Sequence, residues 1–419
     1  MERVGKKKKS VRLAGAFSSK AVGTDVRMND HSKKKVLIYY RYFGRKHGGG
    51  DYLPLTLICE LQGRCDVTLA LDWKGYFDLA QEFYGIPIDR DRLKLVVLMP
   101  DDYLPTSHNA FLSFRRFRKL KKLAKTADVC IATDNIMDFG RPAHHFLSSA
   151  AFGDAAFTRY VNSRRISDTP AQRLRGWADR ILRRVLGMRT RREVICDPKE
   201  HIYPNSEFIA GLLRGYYGGF TGKVFYPPTT FEPSGKTAVK RDPLKVVYIG
   251  RLEAGKRISE IVAIVERARE YSGRDLRLSF AGRPYSEEYR AELEKLAAAR
   301  PWIDFPGELH GEDKEDFLFS ATYAVHAMRT EAFGISITEY LKSGLIPIVP
   351  DEGGANEVVG DPELAFHDDD EAAGILVRLL DDPEFRERKR TRCAERAGMF
   401  SKDAYFQRQR QLLKEITGS

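Results

Sequence analysis

No apolar run in the chain approaches the roughly 18 consecutive residues needed to span a bilayer, and the N-terminal lysines have no apolar segment behind them. Neither a transmembrane helix nor a signal peptide is therefore expected, and the expected location is the cytoplasm. Cysteine is scarce. Cys59, Cys65, Cys130, Cys196 and Cys393 form an odd set without metal-ligand spacing, which argues against a disulfide framework or a cysteine-held metal and leaves buried thiols. No GxGxxG occurs, so a dinucleotide site loses weight. Internal repeats are missing too. The acidic runs Asp101-Asp102 and Asp368 to Asp370 read as caps and turns rather than metal ligands, so no metal is expected.

What is present is length and uneven charge. At 419 residues and 42% hydrophobic, the chain can form two domains with separate cores. The net charge of +12 is concentrated in the first half: residues 1–240 hold 43 Lys+Arg against 24 Asp+Glu, and the remainder 27 against 34. Such asymmetry points to an anionic partner for the first half, whether a phosphorylated acceptor, a membrane surface or nucleic acid.

Residues 1–33, with KKKK at Lys6 to Lys9 and no apolar period, read as a disordered basic tail. From Val36 the pattern alternates strand and helix. VLIYYRYF, the glycine loop KHGGGD and a helical stretch from Tyr52 to Leu61 open a mononucleotide-binding unit, in which Gly49 and Gly50 let backbone approach a phosphate. Further strands are expected at 67–71, 93–98 and 127–133. Between the last two, FLSFRRFRKLKKLAK places Phe111, Phe114, Phe117, Leu120 and Leu123 at near-helical spacing among seven cations. This basic amphipathic helix is either an ordinary domain helix with a solvated charged face or a surface for membrane or phosphate. A second arginine-rich stretch, Arg164 to Arg192, reads as a solvent-facing insertion or a helical hairpin beside an acceptor. GRPAHHFLS follows the fourth strand. Arg141, His144 and His145 on a loop leaving a parallel strand lie where open α/β sheets bind ligands, and an imidazole there either packs or serves an acceptor hydroxyl.

The run YPPTTFEPSGKTAVKRDP carries no period and reads as a linker over 226–243. Strands resume at 244–249, 276–280, 303–305, 324–328 and 345–349. The first ends in GRLEAGKR, where Arg251 and Lys256 can converge on one diphosphate, the guanidinium bonding two oxygens and the ammonium acting as a point charge. EAFGISITEYLKSG places Glu331 and Glu339 eight positions apart around a helix beginning near Gly334. Eight residues of helix span roughly 12 Å, about the reach of a diphosphate with a group at each end. The helix start favours phosphate oxygens.

These segments, in order, resemble glycosyltransferase family 4, the retaining, nucleotide-sugar-dependent enzymes with the GT-B fold. GRLEAGK is similar to that family's GRLxxxK, EAFGISITE to its EX7E signature, PDEGGANEVV to the segment after it, and YPNSEF with YPP to its approach to the linker. The resemblance implies an α/β architecture of two Rossmann-like domains facing across a cleft: 34–225 for the acceptor, 244–398 for the nucleotide sugar, and a final helix over 399–419 returning to the first domain. It further implies that Glu331 contacts the donor sugar and that Arg251 and Lys256 neutralise the leaving diphosphate. Gly49, Gly50, Gly250, Arg283 and the backbone of Phe333, Gly334 and Ile335 would border the donor, and Glu339 the ribose. His144, His145 and Arg141 would face the acceptor, with His144 favoured as the catalytic imidazole. The implied donor is a UDP- or GDP-sugar, with no metal or other cofactor required. A lipid-linked phosphate sugar at the inner membrane surface is the favoured acceptor. A transferase acting on modified bases of DNA, or a non-catalytic module binding anionic surfaces, are the alternatives.

Overall fold

The computed structural model describes residues 33–44, 49–100, 110–148, 177, 181–235 and 238–418. The tail through residue 32, Asp101-Asp102 and most of the Arg164 to Arg192 stretch lie outside the described residues.

Two parallel six-stranded sheets carry the chain. The first contains β1 (Lys35–Tyr40), β2 (Asp66–Leu71), β3 (Leu93–Val97), β4 (Val129–Asp134), β5 (His144–Leu147) and β6 (His201–Pro204), in the order β3-β2-β1-β4-β5-β6. The second contains β7 (Asp242–Ile249), β8 (Arg277–Ala281), β9 (Ile303–Gly307), β10 (Ala321–Val325), β11 (Ile346–Pro350) and β12 (Ala365–Phe366), in the order β12-β11-β10-β7-β8-β9. The two orders are the same doubly wound pattern, one built on β1 and the other on β7. Each reverses direction once, between β1 and β4 and between β7 and β10. At such a reversal the helices on either side diverge and leave a crevice at the carboxyl ends of the strands.

The central strands read as near-continuous apolar runs because helices cover both faces. In β1 every residue after Lys35 is buried, as is every residue of β11. Each fully buried Leu, Ile or Phe contributes roughly 1.5–3 kcal/mol relative to exposure. The sequence places the tenth strand at 324–328, whereas β10 begins at Ala321. The Gly311–Phe319 helix ends only two residues before it, so His326, Ala327 and Met328 have already left the strand. β5, β6 and β12 were not expected from the sequence.

The last helix, Lys402–Thr417, packs against the first sheet's core through Tyr405, Phe406, Leu412 and Leu413. Gln409 donates to Thr56 Oγ1 at 2.9 Å and Arg410 pairs with Glu60 at 3.0 Å. A second bridge lies nearer the crevices. Ser206 Oγ donates to the Ala332 carbonyl at 2.5 Å, and Glu357 accepts from the backbone N–H groups of Glu207 and Phe208 at 2.9 and 3.1 Å. That carboxylate meets the N-terminus of the Glu207–Tyr217 helix, where negative charge is favoured. Among the described residues no helix is long and apolar enough to cross a membrane.

Candidate active site

The reversal between β7 and β10 gathers the residues singled out in the second half. Leaving β7, the chain passes Gly250 and Arg251 and forms a short turn, Ala254–Lys256, before the Ile258–Ser272 helix. Leaving β10, it passes His326 and Glu331 to the Ile335–Lys342 helix. Lys256 Nζ and Glu331 Oε2 meet at 2.5 Å, each side chain about 15% exposed. They are 75 positions apart in sequence, so it is the neighbouring of β7 and β10 that unites them.

The Glu331 loop is held by close backbone contact. The N–H of Gly354 donates to the Glu331 carbonyl at 2.7 Å, and a Cβ on Gly354 would stand 2.4 Å from the Ala332 carbonyl oxygen. Only glycine allows that approach. Gly334 precedes the helix at φ 96°, where a side chain would be strained, and frees the backbone to turn straight into the first helical residues. Phe333 is buried against Tyr226 and Phe400, so only its backbone is available to a ligand. The Ile335–Lys342 helix is fixed to β7 by Tyr340, whose hydroxyl accepts from Ile249 N at 2.8 Å.

Burial alone would raise the Glu331 carboxyl, but His326 and Lys256 outweigh it and hold the group well below the usual carboxylate range. Glu331 is therefore an anion in contact with a cation. Glu339, 6% exposed, accepts from Lys314 Nζ at 2.7 Å. Arg251 stands at the rim, 71% exposed, with Glu253 3.3 Å away, and Arg283 is exposed on the loop after β8. The structure thus brings Lys256 to Glu331, and leaves Arg251 and Arg283 extended into solvent at the same carboxyl edge.

Two residues here escaped the sequence reading. His326 is 1% exposed, with Nε2 3.5 Å from Glu331 Oε2. Lys314 orients Glu339. A histidine five positions before the first glutamate was the available signal for one; a lysine on a preceding helix offered none for the other.

In the first sheet the expected acceptor residues are placed differently. His144 and His145 do not lie on a loop leaving a strand: they open β5, paired with β4 and β6. His145 is fully buried, its Nε2 3.0 Å from Glu200 Oε2 and its Nδ1 accepting from Met137 N at 3.4 Å. Both ring nitrogens are thus used inside the protein. Glu200 also accepts from Arg189 at 2.6 Å, so His145 belongs to an internal network. His144 is partly buried, with Nδ1 3.0 Å from Tyr203 Oη and its ring stacked on His201. Burial first, then His201 and His145, push it down to about 3, so it is neutral at physiological pH. Arg141 donates to the carbonyl of Ala124, the last residue of the Ala110–Ala124 helix, at 3.0 Å, and to that of Ala127 just beyond it. That is a helix cap. The reason is common to all three: the segment read as a loop contains a short strand. Gly49 and Gly50 begin the helix after β1, and Asp51 beside them accepts from Tyr40 Oη at 2.7 Å.

Residues 231–397 match the family model described as glycosyl transferases group 1, a span that includes Arg251, Lys256, Glu331 and Glu339. Among curated proteins the chain is similar to the GDP-Man:Man(3)GlcNAc(2)-PP-Dol alpha-1,2-mannosyltransferase of Candida glabrata, 25% identical over 205 residues, 43% of this chain and 41% of that one. It is also similar to the alpha-D-kanosaminyltransferase of Streptomyces kanamyceticus, 31% identical over 151 residues, 34% of this chain and 38% of that one. The matches thus span about two fifths of the length of these relatives. Among solved structures, WaaG, a glycosyltransferase involved in lipopolysaccharide biosynthesis, superposes with a TM-score of 0.63 at 13% identity, covering 92% of this chain and all of that one. HepE from Anabaena in complex with UDP-glucose gives 0.59 at 16% identity, covering 91% and 99%. At these identities the likeness is one of fold, and the fold is GT-B.

Proposed function

We propose that the chain is a retaining glycosyltransferase of the family 4 type, moving a hexose from a UDP- or GDP-sugar to an acceptor bound by the basic first half. The observation that carries the reading is the Lys256–Glu331 contact at the carboxyl edge of β7 and β10, beside the Gly334 start of a helix. A site of this kind can receive a diphosphate: Lys256 and Arg251 supply positive charge, and the first N–H groups of the helix supply donors. In the reaction, the acceptor oxygen bonds to the anomeric carbon as its bond to the diphosphate breaks, and the acceptor proton is released. Charge grows on the departing phosphate, and preformed cations and dipoles aimed at it lower the barrier. Glu331 would border the sugar, Glu339 the ribose, and an α-linked donor would give an α-linked product. No divalent metal is needed in this scheme, since the two cations serve the leaving group.

A lipid-linked acceptor at the inner membrane surface is favoured, consistent with the positive first half and with relatives whose name includes GDP-Man and a PP-Dol oligosaccharide. On the Ala110–Ala124 helix, Phe117, Leu120 and Ala124 are buried while Arg115, Arg118 and Lys122 are exposed. The exposed set forms a cationic face for such a surface. Transfer to modified bases of DNA is the second reading, for which the same charge would meet phosphates.

A thermal-shift series with UDP-glucose, UDP-N-acetylglucosamine and GDP-mannose tests the donor, because a ligand at about 100 times its Kd stabilises by roughly 2.7 kcal/mol. A rise with one of them, absent in Lys256→Ala, is expected; no rise with any would refute the reading. Co-sedimentation with anionic vesicles beside a duplex DNA shift, over a salt series, separates the acceptors. Binding to DNA with vesicles ignored would overturn the lipid assignment.

A further inference from the structure

His326 is the one buried histidine among the described residues whose two ring nitrogens both lack a hydrogen-bond partner. It is placed with care. Its backbone N–H donates to the Ile348 carbonyl at 3.0 Å, and its ring lies nearly parallel to that of Tyr248, at 15° with centroids 6.1 Å apart. The imidazole is therefore fixed between β10 and the end of β7. Buried polar groups are almost always satisfied, so an orphaned pair calls for an explanation. Nε2 stands 3.5 Å from Glu331 Oε2, the oxygen that Lys256 Nζ contacts at 2.5 Å. One carboxylate oxygen thus faces two candidates. Lys256 holds it at bonding distance in the free protein, and His326 faces it at 3.5 Å without an aligned hydrogen bond.

Charge decides the outcome when a diphosphate arrives. The ligand brings at least two negative charges to Lys256, whose ammonium turns toward them. Glu331 is then a largely buried carboxylate losing its cation, a condition that proteins relieve by supplying another donor. Within contact range the groups facing it are Lys256 from the β7 side and His326 from β10. We infer that His326 is a positioning residue: its Nε2–H takes over the Glu331 carboxylate when a diphosphate draws Lys256 away, keeping Glu331 ionised and aimed at the donor sugar. The exchange needs no net proton transfer, because an Nε2–H imidazole donates in either charge state. The inference rests on the donor-site reading of this crevice.

The two can be separated by measuring UDP and GDP affinity by calorimetry in four proteins: wild type, His326→Phe, Glu331→Gln and the double variant. Phe replaces the imidazole by a somewhat larger apolar ring and removes both nitrogens. In His326→Phe the affinity for whichever diphosphate the wild type binds is expected to fall about tenfold, a typical value for one hydrogen bond to a charged group. The melting temperature of the free protein should change little, since Lys256 remains on Glu331 at 2.5 Å. In the Glu331→Gln background the same substitution is expected to change affinity less than about twofold, because His326 acts through Glu331. His326→Gln, whose amide nitrogen reaches the Nε2 position, should recover most of the loss. A plain packing role would instead lower the melting temperature and weaken binding equally in both backgrounds. Equal affinity in wild type and His326→Phe overturns the role of His326 alone. Failure of the wild type to bind either diphosphate overturns the donor-site reading, and this inference with it.

Discussion

Removing Glu331 should make the protein bind nucleoside diphosphates more tightly, even as it removes the group proposed to face the sugar. In the free protein Lys256 is already engaged, 2.5 Å from Glu331 with both side chains mostly out of water. At an effective dielectric of about 20 the gross attraction at that distance is about 7 kcal/mol. Most of it offsets the cost of taking two ions out of water, leaving about 1.5–3 kcal/mol, the usual net worth of a hydrogen bond between charged groups. A diphosphate that recruits Lys256 must work against this. Coupling is reciprocal, so whatever Glu331 takes from the diphosphate is returned when Glu331 is neutralised. Glu331→Gln is therefore expected to tighten UDP or GDP binding about tenfold, with part of the ion pair surviving in the bound wild type. Lys256→Met should weaken binding by a similar factor or more, and the double variant should resemble Lys256→Met. Calorimetry of the four proteins at pH 7.5 and pH 5.5 is the assay. The folded carboxyl lies well below its unfolded value of about 4.3, so the pair's contribution is complete above that value. It is lost only as pH falls below the ordinary carboxylate range, and the tightening should be the same at both pH values. Unchanged or weaker binding by Glu331→Gln would refute the argument.

Two other expectations come from the geometry. Glu339→Gln should weaken UDP and GDP binding about tenfold, since an amide replaces a charged acceptor for the ribose hydroxyls. Lys314→Met should move binding in the same direction, because Lys314 holds that carboxylate at 2.7 Å; full affinity in both variants would remove Glu339 from the ribose. His144 titrates near 3 in the folded protein and near 6.5 unfolded, so the unfolded state binds more protons between those values and stability falls as pH drops from about 6.5 toward 3. At pH 5 this costs up to about 2 kcal/mol. His144→Phe should narrow the difference in urea stability between pH 8 and pH 5 by that amount, and an unchanged difference would show that His144 is not neutral when folded.

The legible parts of the fold were those whose signal is local. VLIYY, VVYI and IPIV are apolar runs with a helix on each face, and such runs look alike in any parallel sheet. The Ile335–Lys342 helix shows its buried side in Ile337, Tyr340 and Leu341. β5 has no such signal. Its first two residues are histidines, and what makes His145 acceptable in a core is Glu200, contributed from 55 positions later. Arg141 is a similar case: its guanidinium faces carbonyls at and just beyond the end of a helix, 14 to 17 residues before it, partners that composition does not reveal. In each case a polar side chain expected to face a ligand has partners inside the protein.

The converse holds at β10. Glu331 and Lys256 were recognisable because each sits in a segment whose spacing suggests phosphate chemistry, and the parallel pairing of β7 with β10 brings those segments together. His326 had no motif to announce it, and the shifted strand hid it further, since a reading of 324–328 places it mid-strand as a packing residue. Only the folded arrangement separates a histidine with internal partners from one without. His145 spends both nitrogens on the protein, while His326 spends neither and faces the carboxylate that the donor would disturb. Burial makes both inert to bulk solvent. The unspent bonding capacity of His326 is what gives it a part to play once charge enters the crevice.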